Sequence, residues 1–358
     1  MKIALVNNLY FPFNRGGAEQ VVAESVRRLR TDGHEVFLIA TCPSDQALPL
    51  PSDLKIYWIK SQYYNLNKKK IISRLIWQIG HFLAFKKYRQ IKKILQTERP
   101  DRLLTHNLMG LGWRLPALAR RLKIPQEHFL HDIQLLHPSG LIIAGREKKV
   151  DSVAAKIYQA LTRSIFASPA KIISPSRWLL EEHRRRGFFK NSRLSVEPWS
   201  DSNVQSVPNR QTASSETADG RTFLFIGQIE EHKGIIFLIK AWKELIRTTG
   251  KPTRLRIVGS GSKLAEAKAL ADGLESIEFL GYLKPEELPR VLEKSHYLIV
   301  PSLCYENSPT IIARAHSLGL PVIASDLGGI PEMCNQNDKL FQAGNQTELI
   351  KIIKNLTA

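Results

Sequence analysis

The chain has 358 residues, 43% of them hydrophobic, which is enough for two domains with separate cores and too apolar for a disordered polymer. Its three cysteines, Cys42, Cys304 and Cys334, are an odd set without a CxxC pair, which argues against a zinc site or a disulfide framework and fits a reduced cytoplasm. The formal charge of +19 belongs to one half: residues 1–200 carry 34 Lys+Arg against 15 Asp+Glu, and residues 201–358 carry 18 against 18. So one-sided a field predicts that the first half faces an anionic surface or substrate.

KIALVNN at the start reads as a buried strand. It is too short, and lacks the small-residue cleavage site, for a signal peptide, so export is not expected. RGG follows, then a helix over AEQVVAESVRRLRTDG with Val21, Val22, Val26 and Leu29 on one face and Gly33 as its stop, then the strand EVFLIAT. Residues 67–95 form a basic stretch in which Ile72, Leu75, Ile76, Ile79 and Leu83 recur at helical spacing around Trp77. Its apolar run is broken by Arg74 and falls short of the roughly 20 residues that span a bilayer. Two readings stay open for it: a helix lying on anionic lipid, or a domain helix packed on its own sheet. Strand-like runs recur at 102–106, 128–132 and 171–176, with helical stretches between, as in a doubly wound parallel sheet. His106 ends one of these runs and reads as a structural histidine; His131 lies at the end of the next.

Residues 201–220 are polar and cannot build core, which divides the chain into a domain at 1–200, a linker at 201–220 and a domain at 221–358. In the second domain the alternation restarts: TFLFIGQ, a helix from Gly234, RLRIVG, a helix from Lys263, IEFLGY, a helix from Pro285, YLIVPS, a helix from Pro309, and PVIAS. Ligands of such sheets bind at the carboxyl ends of the strands, where four loops bring Gly227, Gln228 and Lys233, then Gly259 and Gly261, then Gly281 and Tyr282, then Glu306. In the last loop Ser308 suits an N-cap, Pro309 the first helical position and Gly319 the stop. That leaves the N–H groups of Thr310 and Ile311 free for a phosphate, with Lys233 as its cation. An ionised Glu306 only accepts hydrogen bonds, so sugar hydroxyls are its natural partners. A sugar on a diphosphate would satisfy both, although each residue taken singly also reads as an ordinary loop or cap. Cys304 reads as a small loop residue and not as a nucleophile.

RGGAE after the first strand, LHD at 130–132, GQ with HKG at 227–234, and above all YENSPTIIARAHSLGLPVIAS together resemble glycosyltransferase family 4. The resemblance runs along the whole chain. It implies the GT-B fold, two Rossmann-like α/β domains with doubly wound parallel sheets facing a central cleft, and transfer of a sugar from a nucleotide-diphosphate sugar with retained anomeric configuration, without cofactor or metal. Carried over by position, Gly16 and Gly17 would let the backbone approach the donor, and His131 would face the sugar. Lys233 would stabilise the leaving diphosphate, Glu306 would hold sugar hydroxyls, and the backbone near Tyr282 would meet the base. Gln228, Gly259, Ser308, Pro309, Thr310 and Ile311 complete the expected donor site.

Two positions depart from the family pattern. Gln228 stands where arginine is usual, and Arg314 stands where a second glutamate grips the ribose; arginine only donates and cannot accept from ribose hydroxyls. Most relatives also continue past the equivalent of TELIKIIKNLTA into helices that return to the first domain. The reading that follows is a cytoplasmic glycosyltransferase at the inner face of the cell membrane, acting on an anionic lipid-linked or polysaccharide acceptor. The competing reading is a binding or scaffold protein that kept the fold while losing donor affinity through Gln228 and Arg314. Nucleic acid is not an expected partner, because the basic half carries no recognised motif or aromatic platform for it.

Overall fold

The computed structural model describes residues 1–13, 16–44, 53–64, 70, 77, 80, 85–199, 220–249 and 253–357. The expected linker lies outside these residues except for Gly220, and the basic stretch 67–95 is described continuously only from Phe85. The chain divides into two units, one of Met1–Gly140 with Lys148–Glu197, the other of Leu141–Glu147 with Pro198–Ala358.

The first unit is built on seven parallel strands: β1 Lys2–Val6, β2 Glu35–Pro43, β3 Lys55–Ser61, β4 Arg102–Thr105, β5 Gln126–Phe129, β6 Lys171–Ser174 and β7 Arg193–Val196. Their order in the sheet is β3-β2-β1-β4-β5-β6-β7. Ile3, Ala4, Leu5 and Val6 are all wholly buried, as expected where helices cover both faces of a parallel sheet and no strand face meets water. The helices are α1 Gly17–Thr31, α2 Phe85–Glu98, α3 Leu115–Arg121, α4 Val153–Phe166 and α5 Arg177–Arg184. In α1 the Glu19 carboxylate takes the Gly16 N–H at 2.9 Å, Val22 and Val26 turn inward, and Gly33 at φ +77° ends the helix in the left-handed region.

The second unit carries β8 Arg221–Ile226, β9 Thr253–Val258, β10 Ile277–Gly281, β11 Tyr297–Val300, β12 Val322–Ser325 and β13 Lys339–Phe341, all parallel, in the order β10-β9-β8-β11-β12-β13. Its helices are α6 Ile235–Thr248, α7 Leu264–Leu270, α8 Leu288–Glu293, α9 Thr310–Ser317, α10 Ile330–Met333 and α11 Gln346–Thr357. One core layer gathers Phe223, Trp242, Ile299 and Phe341; the other gathers Leu224, Leu298, Ile312 and Val322. The segment Leu141–Glu147, inside the first domain by sequence, belongs to this unit. Ile143 bridges Cys304, Tyr305 N–H donates to Ile142 O at 2.9 Å, and Ala144 N–H donates to Leu303 O at 2.9 Å.

Several element boundaries move. The strands expected to include His106 and His131 end at Thr105 and Phe129, which puts both histidines in the loops beyond. The helix expected from Pro285 starts at Leu288, and the one expected from Pro309 starts at Thr310 with Pro309 as its N-cap. Ser308 therefore does not cap: its hydroxyl donates to Met333 Sδ at 3.3 Å, because Pro309 at φ −60° and ψ 111° holds the chain extended until the next residue.

Candidate active site

In each sheet the chain leaves one central strand, builds outward, then jumps back to the strand on its other side. The crevice between the carboxyl ends of those two strands is where doubly wound sheets bind ligands. In the second unit the two strands are β8 and β11. The loop after β8 carries Lys233 and the loop after β11 carries Glu306, and the two side chains meet there, Nζ to Oε2 at 2.8 Å.

The pair is tightly framed. Ser302 donates its hydroxyl to the other Glu306 oxygen, and Leu303 N–H donates to His232 O at 2.9 Å, joining the Lys233 turn to the Glu306 loop. Gly329 N–H donates to Glu306 O at 2.7 Å. Burial works to raise the pKa of Glu306, but the Lys233 ammonium and the Ser302 hydroxyl hold it below the ordinary value. Burial likewise works to lower Lys233, and Glu306 holds it above its ordinary value. Both groups are therefore charged at neutral pH. The neighbouring Cys304 is buried, and that burial pushes its thiol up to about 12, which removes it as a thiolate nucleophile.

The glycine loops are locked to one another. Gly259 has φ +143° and a Cβ there would lie 1.8 Å from Gly227 O; a Cβ on Gly261 would lie 2.4 Å from Ile229 O. Packing of the two loops alone thus demands glycine at both positions. Gly259 N–H donates to Gly281 O at 2.8 Å, tying in the loop that presents Tyr282, whose side chain is 64% exposed. Gln228 is exposed on the loop after β8. At the start of α9 the N–H groups of Thr310 and Ile311 have no acceptor among the described residues, and Arg314 lies half-buried one turn further on.

In the first unit the corresponding strands are β1 and β4. Beyond them Asn8 N–H donates to Asn107 O at 2.8 Å and Asn107 N–H to the Asn7 Oδ1 at 3.1 Å. His106, wholly buried and stacked on Phe129 at 4.6 Å, shares a hydrogen bond of 2.8 Å between its Nδ1 and His131 Nε2. Burial lowers His131 to about 4, so the imidazole is neutral and can polarise or hydrogen-bond but not supply a positive charge. Beside it burial raises Asp132 to about 7, against the Gln134 N–H that donates to its Oδ1 at 2.7 Å. Gly16 adopts φ −162°, and a Cβ there would meet nothing nearer than 3.9 Å, so nothing described within the chain requires glycine at this position. Gly17 opens α1.

The structure thus brings together Lys233 and Glu306, and separately His131 with His106. Ser302, Gly328, Gly329 and Asp132 were missed. The signals available were a Pro-Ser pair just beyond a strand, the double glycine of SDLGG beyond β12, and an acid next to His131.

Two tandem units, each built on a doubly wound parallel sheet, are the architecture of the GT-B glycosyltransferases. The chain belongs to glycosyltransferase family 4: the model described as Glycosyltransferase Family 4 matches residues 15–198, and the one described as Glycosyl transferases group 1 matches residues 220–358. An uncharacterised 42.6 kDa protein in the cps region of Klebsiella pneumoniae is 27% identical over 93% of this chain and 87% of its own length. Among solved structures, sucrose-phosphate synthase from Thermosynechococcus elongatus superposes with a TM-score of 0.72 at 19% identity, covering 99% of this chain and 89% of the other. HepE from Anabaena, in complex with UDP, gives 0.67 at 16% identity, with 99% and 89% covered.

Proposed function

We propose that this protein transfers a sugar from a nucleotide-diphosphate sugar, with retention and without metal, to a lipid-linked or polysaccharide acceptor on the cytoplasmic side of the cell membrane. The observation that carries the proposal is the Lys233–Glu306 pair at the switch point between β8 and β11. In the resting protein each group neutralises the other. A donor replaces that contact with two better ones, diphosphate oxygens for the ammonium and sugar hydroxyls for the carboxylate. The open amides of Thr310 and Ile311 add the helix-start field to the same anion.

In the reaction the bond between the anomeric carbon and the phosphate oxygen breaks, its electrons leaving with the diphosphate. The acceptor hydroxyl bonds to that carbon from the same face, and its proton passes to the departing phosphate oxygen. Lys233 neutralises the charge that grows there, and Gln228 gives a neutral hydrogen bond where relatives place a cation. Gly16, Gly17 and the neutral His131 contact the transferred sugar, Gly259 shapes the loop, and the backbone at Tyr282 meets the base. Pro309 sets the start of α9, and Ser308 just before it ties the loop to Met333. The UDP bound to HepE makes UDP the first nucleotide to try.

The competing reading, a fold retained for binding alone, rests on Gln228 and Arg314. Calorimetry with UDP, GDP and ADP, followed by a nucleotide-sugar hydrolysis screen, decides between them: failure of all three nucleotides with no hydrolysis would leave the scaffold reading. The membrane contact expected at residues 67–95 falls mainly outside the described residues. Among those described, no helix is long and apolar enough to cross a membrane.

A further inference from the structure

His106 is a wholly buried imidazole fixed from three sides. Thr105 pairs with His128 across β4 and β5, which sets His106 beside Phe129, and the two rings stack at 4.6 Å with their planes 10° apart. The His106 backbone N–H donates to Val6 O at 2.8 Å and ties the residue to β1. His131 Nε2 then meets His106 Nδ1 at 2.8 Å, with ring centroids 5.1 Å apart. The other ring nitrogen of His106, Nε2, is buried and has neither a donor nor an acceptor among the described residues.

The two nitrogens that meet share one proton, and its place follows from the rest of the ring. Burial holds His106 well below its ordinary pKa, and the imidazoles that act on it, those of His131 and His128, are lowered to about 4 and about 3. All three rings are therefore neutral at neutral pH, and each carries a single N–H. If His131 donated, His106 would keep its own proton on Nε2 and bury an N–H that has no acceptor. If His106 donates from Nδ1, its Nε2 is bare and no buried N–H is orphaned, which is the rarer fault in folded proteins. The second arrangement makes His131 Nε2 an acceptor, so the His131 ring proton resides on Nδ1.

We propose that His106 is a positioning residue: its Nδ1–H holds His131 in the tautomer protonated on Nδ1, so that the His131 ring meets a sugar oxygen as a hydrogen-bond donor. The inference rests on the reading of His131 as a sugar contact, but the tautomer can be read without any substrate. Nitrogen magnetic-resonance spectra of the full chain carrying isotope-labelled histidine, assigned with His106→Leu and His131→Asn, should show both rings protonated on Nδ1 and bare on Nε2 at neutral pH. His106→Leu keeps an apolar body against Phe129 and removes the donor. Its kcat/KM for hydrolysis of a panel of UDP-, GDP- and ADP-sugars should fall about tenfold or more, while UDP, which lacks the sugar, binds as it does to the wild type. His106→Asn puts an amide N–H where Nδ1 stood and should recover kcat/KM to within about threefold of the wild type. Thermal unfolding of both variants is the control: activity ranked by melting temperature, with no advantage for asparagine, would make His106 structural only. The inference is also overturned if His131 carries its proton on Nε2, or if the leucine variant turns over like the wild type. Should the wild type hydrolyse no member of the panel, the sugar contact falls with the transferase reading, while the spectra still decide whether His106 sets the tautomer of His131.

Discussion

Lys233 and Glu306 touch at 2.8 Å with side chains only 25% and 13% exposed, so neither can be replaced without consequence for the other. Lys233→Ala leaves a largely buried carboxylate without its cation. Truncating one partner of a fully buried pair costs about 3–5 kcal/mol, and partial exposure here brings the expected loss to about 1–3 kcal/mol. The variant therefore loses turnover and stability together, and thermal unfolding alone would confuse the two. Adding Glu306→Gln removes the orphaned charge. The double variant should regain most of the lost stability while sugar-nucleotide turnover stays at least about a hundredfold down. A double variant no more stable than Lys233→Ala would show that the pair is not the source of the loss. Arg314→Glu restores an acceptor where ribose hydroxyls are expected, and should tighten nucleotide binding about tenfold by calorimetry; weaker binding would show instead that the donor uses the arginine.

The loops that carry these residues depend on glycines outside the expected site. Gly328 sits at φ +66°, and a Cβ there would lie 2.4 Å from Glu306 O. Gly328→Ala must push the Glu306 loop away as well as strain its own backbone, so a loss of about 1–3 kcal/mol is expected, with weaker donor binding although no ligand-facing group has changed. Binding that persists at wild-type strength would mean that the loop position is not set from β12. Such long-range framing was illegible in the sequence, because Gly328 and Glu306 are neighbours only once β11 and β12 are paired. The central strands were legible for the opposite reason: KIALV and FLFI are continuous apolar runs because both faces are covered. The edge strands β3, KIYWIKS, and β7, RLSV, were not, since partly solvated positions break the apolar run with lysine, arginine and serine. Ser308 was misread as a cap because its partner, Met333, is contributed by a helix beyond the next strand.

Each unit also answers pH in its own way. In the first unit His106, His128 and His183 are buried and His131 is half-buried, and burial lowers every one of them, to about 3 for His128 and about 4 for His131 and His183. A folded-state histidine pKa below the unfolded value of about 6.5 means that the unfolded chain binds protons first as pH falls. The stability tied to these imidazoles is complete above about pH 6.5 and is lost progressively toward about pH 4, on the order of 2 kcal/mol for His131 or His183 at about pH 5. Asp132 works the other way: burial raises it to about 7, so the folded state takes its proton early and gains stability over the same window. One carboxyl against four imidazoles leaves a net loss. In the second unit burial lowers His232 in the same sense, but Glu306 and Asp338 are held below their ordinary values, and Asp338 accepts from His316 Nε2 at 2.9 Å and from Val322 N–H at 2.8 Å; depressed carboxylates give up their contribution only below about pH 4. On mild acidification to about pH 5 the first unit should therefore open before the second. Hydrogen exchange read by mass spectrometry, corrected for intrinsic rates, should show protection falling first at β4, β5 and α5 while β8, β11 and α6 keep theirs. Equal loss in both units, or loss beginning in the second, would mean that these histidines do not control acid stability.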